Sequence, residues 1–330
     1  MPALSPAFAL GRFRDISGTV FTAVVSDGRA LPLASLMPEY GRDPMLADLL
    51  PDWPARFDRL KAAVIAADGL SGALPLGSLT ALVPIARPPQ VFCAGANYGR
   101  HVVDMVIALG VSPDTDGMDT EQRRAFGLDY VRRQKVQSNP FVFMLPATAV
   151  VGPQDDIPIP AGVQKMDWEL ELGVVIGREA HRISREHAMD VVAGYVVVND
   201  VTARDMVKRT DAGAIGPDWL AGKGGPGYLP VGPLFVPAEF VADPQNMPMR
   251  LWVNDELMQD DTTADMTFGI ARLIEHVSGH ARMLPGDLLC TGSPTGNGIT
   301  RGVFLKPGDT VEAEIEGLGR QVNRCIAAGH

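Results

Sequence analysis

Hydrophobic and polar positions along the chain change period several times, and each change predicts the edge of an element. From Phe13 to Leu33, apolar and β-branched residues flank Asp27-Gly28, the pattern of short strands around a turn. Between Trp53 and Ala67 the apolar positions Phe57, Leu60, Val64 and Ile65 follow helical spacing, with Pro54 near the start and Gly69 just past the end. Leu74 to Pro89 is dense in proline and has no helical period. It predicts the boundary between a small β-rich N-terminal domain, residues 1–85, and a larger domain, residues 86–330.

Beyond the boundary, Val91 to Tyr98 reads as a strand running into a turn, followed by a helix carrying His101 and Asp104. Residues 110–138, charge-rich from Asp114 to Ser138, read as a solvated helical insertion or a lid. Phe141 to Pro146 predicts a strand and Val150 to Pro160 a turn-rich connection. In Trp168-Glu169-Leu170-Glu171-Leu172-Gly173 the period is two, so Glu169 and Glu171 share one face while Leu170 and Leu172 take the other. The apolar run to Gly177 carries this strand into a core. A helix from about Ser184 to Ala193 and a buried strand from Tyr195 to Asp200 come next. Leu251 to Leu257 predicts a strand and hairpin, Phe268 to Val277 a helix, and Pro285-Gly286-Asp287 and Pro307-Gly308-Asp309 turns, the latter opening a strand from Thr310 to Ile315. The sum is a mixed, β-rich α+β fold with few helices in its second domain.

Composition narrows the classes of partner. A chain of 330 residues with 46% hydrophobic and 21% charged residues is globular. The net charge of −10, without a basic stripe, argues against nucleic acid. No apolar run approaches a membrane span, and Met1 to Leu10 lacks a basic leader, so no membrane partner and a cytoplasmic location are expected. Cys93, Cys290 and Cys325 are odd in number and scattered, which fits a reducing compartment.

The candidate chemistry lies in the acids. A Glu-x-Glu pair on a strand is by itself the ordinary solvated face of a half-exposed sheet. Here an apolar run follows it, and Asp200 closes the next strand, so Glu169, Glu171 and Asp200 form an oxygen-only set suited to Mg²⁺, Mn²⁺ or Ca²⁺. Like charges held that close repel unless a cation neutralises them. His101 and Asp104, three apart on a helix, have the spacing of a general base and its orienting acid; an exposed polar pair has the same spacing. Gly222-Lys223-Gly224-Gly225 lacks the spacing and the Ser or Thr of a phosphate loop. His276 and His280 are four apart but lack the Glu and third ligand of a zinc site, and no Gly-x-Ser-x-Gly elbow occurs.

The ordered set Gly95 to His101, Trp168 to Gly173, Asn199 to Asp205, Lys223 with Pro230 to Pro233, Val253 to Glu256, Pro285 to Asp287 and Thr291 to Pro294 resembles the fumarylacetoacetate hydrolase family, acylpyruvases in particular. The resemblance runs from about residue 90 to the C-terminus, and the first 85 residues are similar to the family's smaller N-terminal domain. It implies a β-roll catalytic domain, a homodimer, and a divalent metal on Glu169, Glu171 and Asp200. It further implies that His101 activates water with Asp104 where many members have Glu, and that Lys223 stabilises charge on the reacting oxygen. Tyr98, Arg204 and Thr291 become candidates for substrate contact or site support. The chain departs from the family pattern at Leu145, where many members have Lys, and at Val207 and Lys208, where Gln is common.

The implied reaction is hydrolysis of a carbon–carbon bond in a 1,3-diketone or 2,4-dioxo acid, an acylpyruvate or a fumarylacetoacetate-like compound, through a metal-bound enolate. Decarboxylation, isomerisation or hydration of a 2-keto acid would use the same metal and enolate. A metal-stabilised binding protein without catalysis is the alternative from another class.

Overall fold

The computed structural model of the chain describes residues 7–41, 43–67, 72–110, 113–209, 211 and 216–329. Three antiparallel strands begin it: β1 (Ala9–Arg14), β2 (Val20–Ser26) and β3 (Arg29–Pro32), the last two joined at Asp27-Gly28, both with positive φ. That is the backbone a two-residue hairpin turn requires. Helix α1 (Trp53–Ala66) follows, and it buries Trp53, Phe57, Leu60 and Val64. Ile65 does not belong to this stripe: it is one residue round from Val64 and exposed. The stop expected at Gly69 lies outside the described residues.

Strand β4 (Val91–Gly95) leads into α2 (Gly99–Leu109), which carries His101 and Asp104. Helix α3 (Thr120–Gln137) starts on a capping box, Asp119 Oδ1 accepting the Gln122 N–H at 2.9 Å while Gln122 Oε1 accepts the Asp119 N–H at 2.9 Å. It packs on α2 where Gly127 meets Val103, so closely that a Cβ at Gly127 would stand 3.2 Å from the Val103 Cα. Strands β5 (Phe141–Leu145), β6 (Leu170–Ile176), β7 (Val192–Asn199) and β8 (Leu234–Pro237) follow, with the short helix α4 (Trp219–Lys223) between the last two. The expected helix from Ser184 to Ala193 is absent: a single 3₁₀ turn, Ala188–Val191, gives way to β7. Sheet pairing overrides helical spacing here, because Val192 pairs with Ile176 and the Gly177 N–H is taken by the Val191 carbonyl at 2.7 Å. The chain goes on through β9 (Pro248–Val253), β10 (Glu256–Thr262), α5 (Ile270–His280), β11 (Leu288–Cys290), β12 (Thr310–Ile315) and β13 (Gly319–Ala327).

Among the described residues, an 11-stranded sheet runs β3-β2-β1-β8-β7-β6-β11-β4-β5, with Leu74–Pro75 beyond β3 and Thr80–Leu82 beside β1. The N-terminal strands thus enter the main sheet through the pairing of Leu10 with Phe235. A second sheet of β10-β9-β12-β13 and Ile157–Ile159 covers one face of it. Strand β6 is buried on both faces. Leu170, Leu172, Val174 and Ile176 meet β9, β12 and α5 in one core, while Val175 joins Val196, Val198 and α1 in the other. Gly173 is required on this second face, since a Cβ there would stand 2.6 Å from methyls of Val196 and Val198.

Candidate active site

Two-residue alternation puts Glu169 and Glu171 on the face away from Leu170 and Leu172, as the strand pattern predicts. The antiparallel register sets Glu171 beside Val198, and the Asp200 N–H donates to the Glu169 carbonyl at 2.8 Å, so the strand-end acid arrives next to the pair. A solvated face is excluded: Glu169, Glu171 and Asp200 are 8%, 2% and 1% exposed. One carboxylate oxygen from each lies within 4.8 Å of the others.

Two cations are built into the cluster. Lys223, at the end of α4, donates from Nζ to Glu169 Oε2 at 2.9 Å, to Asp200 Oδ2 at 2.6 Å and to the Asp200 carbonyl at 3.1 Å. Arg204 donates from Nη2 to Glu169 Oε1 and from Nε to Asp167 Oδ2 at 2.9 Å. Asp167 belongs to this cluster and is one residue that sequence reasoning missed. Fully buried, it also accepts the backbone N–H groups of Trp168, Gly298 and Ile299. Its only signal was an acid directly before Trp168, which nothing separates from a surface Asp.

Burial alone would raise every carboxylate here. For Glu169 that effect is overcome by Lys223 and Arg204, which hold it at about 2. For Glu171 burial dominates and Asp200 adds repulsion, so its pKa stands well above the ordinary range. Asp200 is raised as well, by burial first, with Lys223 opposing. Burial also works against the Lys223 ammonium, yet Asp200 and Glu169 more than offset it and its pKa is raised. The unsatisfied repulsion lies at Glu171 and Asp200, and Asp200 Oδ1 is buried with no hydrogen-bond partner. An orphaned buried carboxylate oxygen beside two more hard oxygens fits a divalent cation of the Mg²⁺ or Mn²⁺ type.

The cluster opens on a cavity of about 460 Å³, and His101, Arg204 and Lys223 line it with the three acids. The His101 imidazole is lowered to about 4, by burial first, against Glu169, which raises it. It is therefore neutral near pH 7 and able to accept a proton. Its Nδ1 is buried without a partner. Three sequence candidates are not brought into this constellation. The Asp104 carboxylate accepts from the Thr295 hydroxyl rather than from His101. Tyr98 is fully buried, its hydroxyl on Met249 Sδ at 3.4 Å. Thr291 is buried and donates from Oγ1 to the Leu172 carbonyl at 3.0 Å, which ties the loop after β11 to β6. That loop matters: the Gly292 N–H donates to Glu171 Oε2 at 2.7 Å.

Comparison with known proteins places this geometry. A family model described as fumarylacetoacetate (FAA) hydrolase C-terminal matches residues 90–326. The chain is 38% identical over 255 residues to oxaloacetate tautomerase FAHD2B, mitochondrial, from Bos taurus, covering 77% of this chain and 71% of the relative. It is 35% identical over 275 residues to 2,4-didehydro-3-deoxy-L-rhamnonate hydrolase from Sphingomonas sp. (strain SKA58), covering 79% and 90%. Maleylpyruvate hydrolase from Sphingobium sp. SYK-6, solved in complex with manganese (II) ion and pyruvate, shares the fold with a TM-score of 0.71 at 24% identity, over 97% of this chain and 100% of that one.

Proposed function

We infer the activity of this chain from one premise: it belongs to the fumarylacetoacetate hydrolase family, with the match spanning residues 90–326. The proposed activity is divalent-metal-dependent hydrolysis of the carbon–carbon bond between the carbonyls of a 2,4-dioxo acid, giving a carboxylic acid and a 2-keto acid. The observation that carries it is the convergence of Glu169, Glu171 and Asp200 at the wall of a cavity that His101 also lines. A divalent cation on those acids would supply Lewis acidity toward the oxygens of the bound keto acid.

The chain's own residues do the rest. Neutral His101 takes a proton from water as its oxygen attacks the C4 carbonyl, and the resulting imidazolium returns a proton to C3 as the C3–C4 bond breaks. Lys223 and Arg204 offset the charge of Glu169 and Asp200 and leave Glu171 to the cation, so the negatively charged keto acid meets less repulsion on entering the pocket. Lys223, its three N–H groups taken by Glu169 and Asp200, acts on charge developing on a substrate oxygen through its positive field. Turnover of acylpyruvates and oxaloacetate with Mg²⁺ or Mn²⁺, repeated with chelator, tests this. Loss of diketone absorbance with release of acid and keto acid is expected, and an intact carbon skeleton in every case would exclude it.

The tautomerase named among the relatives supports a second reading, in which His101 moves a proton between carbon and oxygen of a 2-keto acid without bond cleavage. Enol-to-keto conversion of oxaloacetate with no new carboxylic acid would favour it. Two further parts of the proposal are a homodimer and a cytoplasmic location. The first is supported by β5 at the end of the main sheet, with Phe141 and Met144 about half exposed. The second is supported by three cysteines that are free and buried. No helix among the described residues is long and apolar enough to cross a membrane.

A further inference from the structure

The cavity lining has two parts. Glu169, Glu171, Asp200, Arg204 and Lys223 are joined by ion pairs and close charges, with neutral His101 beside them, and Met105, Val106, Phe126, Tyr130, Phe143 and Trp219 supply the apolar and aromatic lining. Phe143 joins the two parts: the Lys223 ammonium is 5.9 Å from its ring centre, and the Trp219 ring stacks on it with centres 5.0 Å apart and planes 17° apart. Helix α3 supplies the second aromatic pair: Phe126 and Tyr130, four apart, stand 6.4 Å from each other with ring planes 17° apart. The packing of Gly127 on Val103 is what brings that face of α3 down onto α2 and over the cavity.

The cations decide what the apolar part accepts. Among the described residues lining the cavity, Arg204 and Lys223 are the basic ones besides neutral His101, and both are engaged. Arg204 is shared between Asp167 and Glu169, and Lys223 between Glu169 and Asp200. A second carboxylate against the aromatic lining would lose its water and find no unengaged cation among the described residues lining the cavity, only the Trp219 Nε1–H and the Tyr130 hydroxyl as neutral donors. An apolar group there replaces water against aromatic and aliphatic walls.

Resting on the 2,4-dioxo acid reading, we propose that the substituent beyond the C4 carbonyl is uncharged, apolar and of ring size, an aromatic or branched aliphatic acyl group, and that diacids are poor ligands. The volume of about 460 Å³ accommodates such a group beyond the keto-acid head.

The test is binding, measured calorimetrically on the Mn²⁺-loaded full chain with three 2-keto acids that lack the 4-oxo group: 2-oxobutanoate, 2-oxo-4-phenylbutanoate and 2-oxoglutarate. The phenyl acid is expected to bind about 10- to 100-fold more tightly than 2-oxobutanoate, the gain from burying one ring. 2-Oxoglutarate is expected to bind no better than 2-oxobutanoate. Phe126→Ala and Trp219→Ala should each narrow the gap between 2-oxo-4-phenylbutanoate and 2-oxobutanoate by about tenfold. Tighter binding of 2-oxoglutarate than of the phenyl acid, equal binding of all three, or a gap untouched by both variants would overturn the proposal. Failure of the hydrolase reading looks different: the ranking would stand while the matching aroylpyruvate stayed intact.

Discussion

The carboxylate of Asp104 accepts a hydrogen bond from the Thr295 hydroxyl, and the Nδ1 of His101, one helical turn away, has no partner. Spacing on α2 allowed a His–Asp dyad, but the loop after β11 claims the acid first. Asp104 still acts on His101 through space, raising its pKa less than burial lowers it. His101→Ala should therefore cost two to four decades in kcat, the span of a positioned base. Asp104→Asn should cost about tenfold or less, since a long-range charge effect is all that is lost. Steady-state kinetics on a 2,4-dioxo acid decide the matter, and equal losses for the two variants would mean that the dyad closes during turnover.

Lys223 is 2% exposed and holds Glu169 and Asp200 apart as ion-pair partner to both. Lys223→Met leaves two buried carboxylates facing each other, and the metal-free variant should lose about 3–5 kcal/mol of stability. A divalent cation at 100 times its Kd adds about 2.7 kcal/mol by mass action if it binds only the folded state. The thermal shift on adding Mn²⁺ should be larger in K223M than in the wild type, and Glu171→Gln or Asp200→Asn should remove most of it. A shift that survives both of these substitutions would place the cation elsewhere.

How far these features were legible in the sequence depends on whether a residue's role is local. The Glu169–Glu171 alternation, the strand ending at Asp200 and the hairpin at Asp27-Gly28 are set by neighbours in the chain, and period and turn chemistry reveal them. Asp167 and Thr295 take their roles from partners more than 30 residues away, Arg204 and Asp104, and no local pattern encodes such pairings. Helix α3 shows the same limit. Its charge pattern reads as solvated, yet Phe126 and Tyr130 line the cavity because Gly127 lets the helix settle on α2. The segment after Ser184 failed as a helix because pairing of Val192 with Ile176 outweighs propensity.

Gly292 combines a φ of 94° with the amide that holds Glu171. A Cβ there would stand 2.9 Å from the Asn97 Cβ and 3.0 Å from the Ala94 carbonyl, in a region of backbone space that side chains avoid. Gly292→Ala should lower stability by about 1–3 kcal/mol. It should also weaken Mn²⁺ binding, because displacing the amide frees Glu171 to move. Unchanged Mn²⁺ affinity in a destabilised variant would show that Glu171 is held by other contacts.

Asp287 should give the fold a pH dependence away from the acidic cluster. Its Oδ2 accepts from the Leu284 N–H and from Gln90 Nε2, each at 2.7 Å, while its Oδ1 is buried without a partner. Burial outweighs those bonds and raises its pKa from 3.8 to about 6. The folded chain thus holds this proton more tightly than the unfolded chain does. The stabilisation is complete below the unfolded value near 3.8 and is lost as pH rises through about 6. Asp287→Asn keeps an oxygen for both donors and removes the titration. Between pH 4 and pH 7 the melting temperature of the wild type should fall relative to D287N, with a constant difference above that range. Parallel melting curves for the two proteins across those pH values would show that Asp287 titrates as it does in the unfolded chain.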